Sequence, residues 1–256
     1  MPNSRRFFLI ILLACAGLLN ACSTTGAERA AADDDNDPLE GFNRGVFAFN
    51  EGFDKYILKP VARGYDAVMH DDLKAIVNNV FSNLFMPTVV INDLLQGKLQ
   101  QSGQDAGRFV INTTIGFVGM FDAARDFGLP AHEEDFGQTL GVWGVGEGPY
   151  LVLPILGPRN IRDGVGWVAD QFTYPLNYSD NNAVIWGGRA LDIVDTRARF
   201  LPSDKVLEQA AGDDKYLFVR EAYRQRRRNL IYDGNPPKEE FLLDEPAAPA
   251  SADPKR

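Results

Sequence analysis

A mostly helical single domain, broken by one glycine- and proline-rich loop, is the fold that this sequence predicts. Three observations point to it. Apolar residues recur at spacings of three and four in most segments, as one face of a helix requires. Alternation of apolar and polar residues, the mark of a half-buried strand, is scarce, so few or no strands are expected. Between His132 and Gly166, eight glycines and three prolines interrupt strongly apolar residues, and no regular helix continues through Pro149, Pro154 and Pro158.

In chain order, Arg5 and Arg6 precede an apolar stretch, Phe7 to Leu19, of signal-peptide length. Leu19-Asn20-Ala21-Cys22 follows, and a small residue directly before a cysteine is what lipoprotein signal peptidase cuts. The expectation is a signal peptide over 1–21 and a mature chain that begins at an acylated Cys22. Each buried CH₂ contributes about 0.8 kcal/mol, so two or three acyl chains anchor a protein where one does not. Asn20 departs from the usual small or apolar residue, and Leu12-Leu13-Ala14-Cys15 is an earlier match with a shorter apolar core. An ordinary secretory signal with a chance cysteine is the alternative. Ser4-Arg5-Arg6-Phe7-Phe8-Leu9 resembles the twin-arginine signal, and two arginines suit the general secretory route equally, so both routes stay open. Ser23, where an aspartate would argue for inner-membrane retention, favours the outer membrane.

The whole chain carries a formal charge of −9, and −11 once the two arginines of residues 1–21 are gone. That argues against nucleic acid, which calls for a basic footprint. Beyond Cys22 there is no cysteine, and His70 and His132 are the two histidines of the chain. Disulfides, thiolate zinc sites and multi-histidine metal sites are excluded on that count, and no cofactor is implied. Residues 22–36, ending in Asp33-Asp34-Asp35, read as an acidic leash. Residues 233–256, rich in proline, alanine and acids, read as a disordered tail. Residues 37–232 remain for one domain.

The first helix of that domain is expected to start with Asp37 as N-cap, Pro38 at N1 and Glu40 as a capping-box partner. Phe42, Val46, Phe49, Phe53 and Tyr56 make one stripe along it, facing either the core or a membrane interface. Gly41, Gly45 and Gly52 imply close packing there. A second helix, capped by Asp71 or Asp72, presents Leu73, Ile76, Val77, Val80, Phe81 and Leu84 and stops before Pro87. A short helix from Pro87 to Gln96 ends at Gly97. Gln101 to Thr114 is helical, followed by an apolar run, Ile115 to Phe121, broken by Gly116 and Gly119. Asn182 to Arg199 is a helix with Val184, Leu191 and Val194 inward. The last helix, Asp213 to Tyr232, turns Tyr216, Val219, Tyr223 and Leu230 inward. Its Arg224, Arg226, Arg227 and Arg228 form either a solvated face or a contact for phospholipid phosphate. No apolar run after the signal approaches the roughly 20 residues that cross a bilayer.

The segment His132–Gly166 is expected to be an irregular buried loop or the lining of a cavity. Gly144-Val145-Gly146-Glu147-Gly148 lacks the leading strand and following helix of a nucleotide loop. His132-Glu133-Glu134-Asp135 lacks the second histidine of a zinc-protease motif, and surface acids at a helix start are its plainer reading. None of Ser82, Ser102, Ser179 or Ser203 sits in a nucleophile elbow, so no catalytic constellation is expected.

Four blocks carry a resemblance: DPLEGFNRGVFAFNEGFDKYILKPVARGY (37–65), VNNVFSNLFMPTVVINDLLQGK (77–98), RFVINTTIGFVGMFDAA (108–124) and HEEDFGQTLGVWGVGEGPYLVLPILGP (132–158), with Arg162-Asp163 after them. In order and spacing they resemble the MlaA/VacJ outer-membrane lipoproteins. The resemblance implies a helical, ring-like domain in the periplasmic leaflet of the outer membrane, with a central amphipathic channel. It implies removal of stray phospholipid from the outer leaflet, passage to a soluble MlaC-like periplasmic carrier, and association with a trimeric porin. The alternative is a porin-associated envelope scaffold that transports nothing. Trp143, Tyr150, Leu151, Leu153, Ile155 and Leu156 are the expected channel or lipid contacts. The Phe42–Tyr56 stripe is the candidate for ring packing or membrane contact, and Asn43, Arg44, Asn50 and Lys55 for headgroup contact.

Overall fold

The computed structural model describes residues 37–237. The signal peptide, Cys22, the acidic leash and all but the start of the C-terminal tail lie outside them. From Pro38 onward the described residues form one compact unit.

A long helical rod comes first: α1 (Glu40–Phe53), a π-helical turn (Asp54–Leu58) and α2 (Lys59–Val68). Pro60 has no N–H to give the Tyr56 carbonyl, and a widened turn immediately upstream accommodates its ring without ending the helix. The helix starts later than expected. Leu39 is the N-cap and no side chain caps it, while Glu40 instead pairs with Arg44 at 2.5 Å. Gly41, Gly45 and Gly52 have nothing within 4 Å of an added Cβ, so they face open space and not a packed neighbour.

Helix α3 (Asp71–Gln96) corrects the sequence reading most plainly, because it runs straight through Pro87. Its N-cap is His70, not Asp71 or Asp72, and Gly97 closes it in the left-handed conformation as expected. Twenty-six residues at 1.5 Å each span about 39 Å. By length and composition this helix can cross a bilayer, where the sequence split at Pro87 had hidden any such run. Helix α4 (Leu99–Thr114) folds back on it. A loop follows with Phe117, Val118 and Gly119 all at positive φ and Ile115, Phe117, Val118 and Phe121 exposed.

Helices α5 (Ala123–Asp126) and α6 (Phe136–Val142) lead into the glycine- and proline-rich segment, which forms a hairpin. Strand β1 (Tyr150–Leu153) pairs antiparallel with β2 (Gly157–Asn160), Tyr150 opposite Asn160 and Leu153 opposite Gly157. Two asparagines of α1 hold β1. Asn43 donates to the Tyr150 carbonyl at 3.0 Å and accepts from the Val152 N–H at 2.9 Å. Asn50 donates to the Leu153 carbonyl at 3.0 Å and accepts from the Ile155 N–H at 2.7 Å. Seven helical residues rise about 10.5 Å and three strand residues about 10 Å, so the two clips fall in register.

Helix α7 (Ile161–Asp170), α8 (Asn182–Phe200), α9 (Asp204–Ala210) and α10 (Lys215–Ile231) complete the unit. A Cβ on Gly166 would lie 2.3 Å from the Gly137 nitrogen, so α6 and α7 touch backbone to backbone. On α8, Val184 and Leu191 are exposed, contrary to the inward face expected of them. On α10, Tyr216 is buried and Tyr223 half-buried, and Asp214 caps the helix through the Leu217 N–H. An aromatic core of Tyr150, Val152 and Tyr216, with Val46, Phe47 and Tyr223 against it, sits under the hairpin.

Candidate functional site

Among the described residues, buried polar and charged side chains outnumber buried hydrophobic ones. Asn92, Thr88, Gln138, Thr139, Asp93 and Asp105 are at most 2% exposed, while Val68, Phe117, Val118, Leu99, Phe172 and Trp186 are exposed. The distribution is inverted relative to a protein folded for water. Inside lies a cavity of about 750 Å³, walled by α3, α4, α7, α8, α10 and residues 131–135. Asn78, Asn79, Ser82 and Asn83 supply a polar stripe from α3, and Phe81, Phe85 and Met86 stand beside them.

Ion pairs hold the wall together. Asp135 caps α6 through the Gln138 N–H at 2.9 Å and takes both arms of Arg227 at 2.6 and 2.9 Å. Burial works against the Asp135 carboxylate, but Arg227 outweighs it and holds the group below its ordinary value. Asp163 receives Arg162 at 3.0 Å, Arg227 at 2.9 Å and the Tyr223 hydroxyl at 2.6 Å. Burial, then the Asp163 charge, pushes the Tyr223 hydroxyl upward. Asp170 accepts from the Phe136 N–H at 3.1 Å and from Asn92 at 3.1 Å, and burial with the nearby Asp135 pushes it up to about 6. Glu134, buried, takes Lys98 at 2.8 Å and Gln96 at 2.8 Å, and His132 Nδ1 lies 2.8 Å from Asp105. Among the described residues no three His, Cys, Asp or Glu side chains are arranged to hold a metal ion.

The expected site residues are scattered relative to this cavity. Leu156 lines it. Tyr150 is buried in the aromatic core, 6.1 Å ring to ring from Tyr216, and Leu151 and Leu153 are half-buried in β1. Ile155 is exposed at the hairpin turn, and Trp143 is exposed with its indole N–H on the Leu95 carbonyl at 3.0 Å. Phe42, Phe49 and Tyr56 are exposed, whereas Val46 and Phe53 are half-buried. Asn43 and Asn50 are spent on clipping β1. Arg44 pairs with Asp214 at 2.8 Å, and Lys55 lies 5.3 Å from the Tyr56 ring. None of these four is among the cavity-lining residues. The arginines of α10 are not a free face either: Arg224 pairs with Glu147, Arg226 with Glu133, and Arg227 with Asp135 and Asp163.

The profile of the MlaA lipoprotein family matches residues 35–230. The chain belongs to that family. The intermembrane phospholipid transport system lipoprotein MlaA of Escherichia coli K12 is 37% identical over 213 residues, 82% of each chain. The protein of that name from Haemophilus influenzae is 32% identical, covering 85% of this chain and 89% of the relative. An uncharacterized protein of Rickettsia felis is 41% identical over 78% of this chain and 80% of its own. A solved structure described under the basis for maintenance of bacterial outer membrane lipid asymmetry matches with a TM-score of 0.69 and 36% identity. It covers 78% of this chain and 99% of its own. The mostly helical fold is therefore the family's.

What sequence reasoning missed in this MlaA family member is the polar wall itself. Asn78, Asn79, Ser82 and Asn83 recur at helical spacing within an apolar helix, and that stripe is the signal that points to it.

Proposed function

We propose that this protein is an outer-membrane lipoprotein, anchored through Cys22, that removes mislocalised phospholipid from the outer leaflet. The lipid passes through the cavity to a soluble periplasmic carrier, which maintains lipid asymmetry. One observation carries the reading: a half-open cavity of about 750 Å³, lined by polar and apolar side chains together, among helices whose exposed faces are apolar. In acyl surroundings such faces cost nothing, and polar groups belong inside. A headgroup crosses along the polar wall while its chains stay against apolar surface. The names of the Escherichia coli and Haemophilus influenzae relatives support the same role.

No chemistry is required of the protein itself, so direction comes from capture by the carrier. Exposed apolar faces such as that of α8, with Val184 and Trp186, suit contact with lipid or with a trimeric porin. The test is a deletion strain complemented with Ser82→Trp, which places an indole at the cavity wall. Outer-leaflet phosphatidylethanolamine is read with a membrane-impermeant amine reagent. The wild-type gene should restore asymmetry and the stably expressed variant should not. Full restoration by the variant would replace the conduit with a porin-associated scaffold.

A further inference from the structure

The cations of the cavity wall divide into two kinds. Arg108 is neutralised by Asp122 at 2.7 Å, Arg199 by Asp195 at 3.1 Å, Arg226 by Glu133 at 2.7 Å, and Arg227 by Asp135 and Asp163. Arg159 and Arg189 have no carboxylate partner among the described residues, and the Nε–H of each is buried without an acceptor. Arg159, on β2, lies over the ring of Trp167 with its guanidinium carbon 5.6 Å from the centroid. Arg189, on α8, reaches Gln171 at 2.7 Å and Asn177 at 2.5 Å, both neutral.

Trp167 lies on α7 and Gln171, four residues on, is its C-cap, so the two guanidiniums are tied to the last turn and the end of the same helix. A guanidinium held over an indole face takes no hydrogen bond from it and keeps its N–H groups available, which suits phosphate. Burial pulls the Arg159 group below its ordinary value, the sign of a cation whose neighbours do not make up for lost hydration. Burial also opposes the Arg227 charge, but its carboxylates raise that group instead.

We infer that Arg159 and Arg189 form a phosphate-binding subsite in the cavity, which receives the phosphodiester anion of a phospholipid headgroup in transit. The assignment rests on the conduit reading and names the residues that recognise its cargo. Half-buried positive charge in a wall otherwise neutralised or acidic gives an anion one place to pause. The neutral Gln171 and Asn177 hold Arg189 without competing for it.

The test uses the acylated full-length protein in mild detergent, with bound lipid measured by native mass spectrometry. The probes are dioleoyl phosphatidylglycerol, dioleoylglycerol with the same chains and no phosphate, and inorganic phosphate as competitor. Arg159→Gln should lower phosphatidylglycerol retention roughly tenfold, the loss of one charge-assisted hydrogen bond, and leave dioleoylglycerol unchanged. Arg159→Lys should recover most of the retention, and Arg189→Gln should act in the same direction as Arg159→Gln. Unchanged retention in a helical, folded Arg159→Gln protein overturns the subsite and leaves the conduit standing. Displacement of the lipid by millimolar inorganic phosphate assigns the pair to free phosphate and overturns the headgroup assignment. Wild-type protein that retains neither lipid overturns the conduit, and the subsite with it.

Discussion

Two interiors of this molecule obey opposite rules. Under the hairpin, Tyr150, Val152 and Tyr216 pack ring against ring, with Phe47 5.7 Å from Tyr216, as in any water-soluble domain. Between α3, α7 and α10 the buried groups are Asn92, Thr139, Asp163, Asp170 and Arg227, joined by hydrogen bonds and ion pairs. The first is held by the hydrophobic effect and needs only shape. The second is held by pairing, and each member depends on its partners being present. A fold that keeps both puts its greasy core where strands need fixing and its polar core beside the cavity.

The largest expected effect breaks the polar interior. Asp163→Ala leaves Arg227, Arg162 and Tyr223 without their common acceptor and should cost about 3–5 kcal/mol in urea unfolding. Val152→Ala in the aromatic core should cost about 2 kcal/mol. A reversed order would show that the apolar cluster alone carries the fold.

A smaller effect sharpens the contrast through pH. Folded Asp170 keeps its proton up to about 6, against an ordinary value of 3.8. Between those values the folded state binds more protons than the unfolded one, so this group's contribution to stability falls as pH rises. Asp170→Asn, which cannot ionise, should be the more stable protein above pH 6 and lose that advantage by pH 4. Equal melting temperatures at pH 7.5, or a wild-type advantage there, would decide against it.

The smallest effect lies on the surface. Phe117→Gln replaces a side chain that is 68% exposed and should change folding stability by no more than about 0.5 kcal/mol. Partition into phospholipid vesicles, measured by flotation, should fall. Unchanged flotation would place that loop away from lipid.

Helix positions were readable because a stripe at three-four spacing survives whatever solvent surrounds it. The helix Leu99–Thr114 and the inward tyrosines of Lys215–Ile231 follow from spacing alone. Which way a stripe faces was not readable. Phe42 and Phe49 are exposed while Asn43 is fully buried on the same helix, because an apolar face turned outward has the same period as one turned toward a core. Pro87 misled for a related reason: a proline ends a helix only where nothing nearby compensates the lost hydrogen bond. Nor was it readable that Asn43 and Asn50 find their acceptors in a strand more than a hundred residues away.

By itself the sequence determined the helical class, the family and the breaking of the chain around its glycines and prolines. Those are local matters of spacing, capping and backbone freedom. Only the tertiary structure decided that the polar side chains point inward, that α3 runs unbroken, and that Arg159 and Arg189 have no carboxylate ion-pair partner among the described residues. Charge compensation is a property of residues brought together from distant segments, and no local pattern records which arginine finds an acid and which does not.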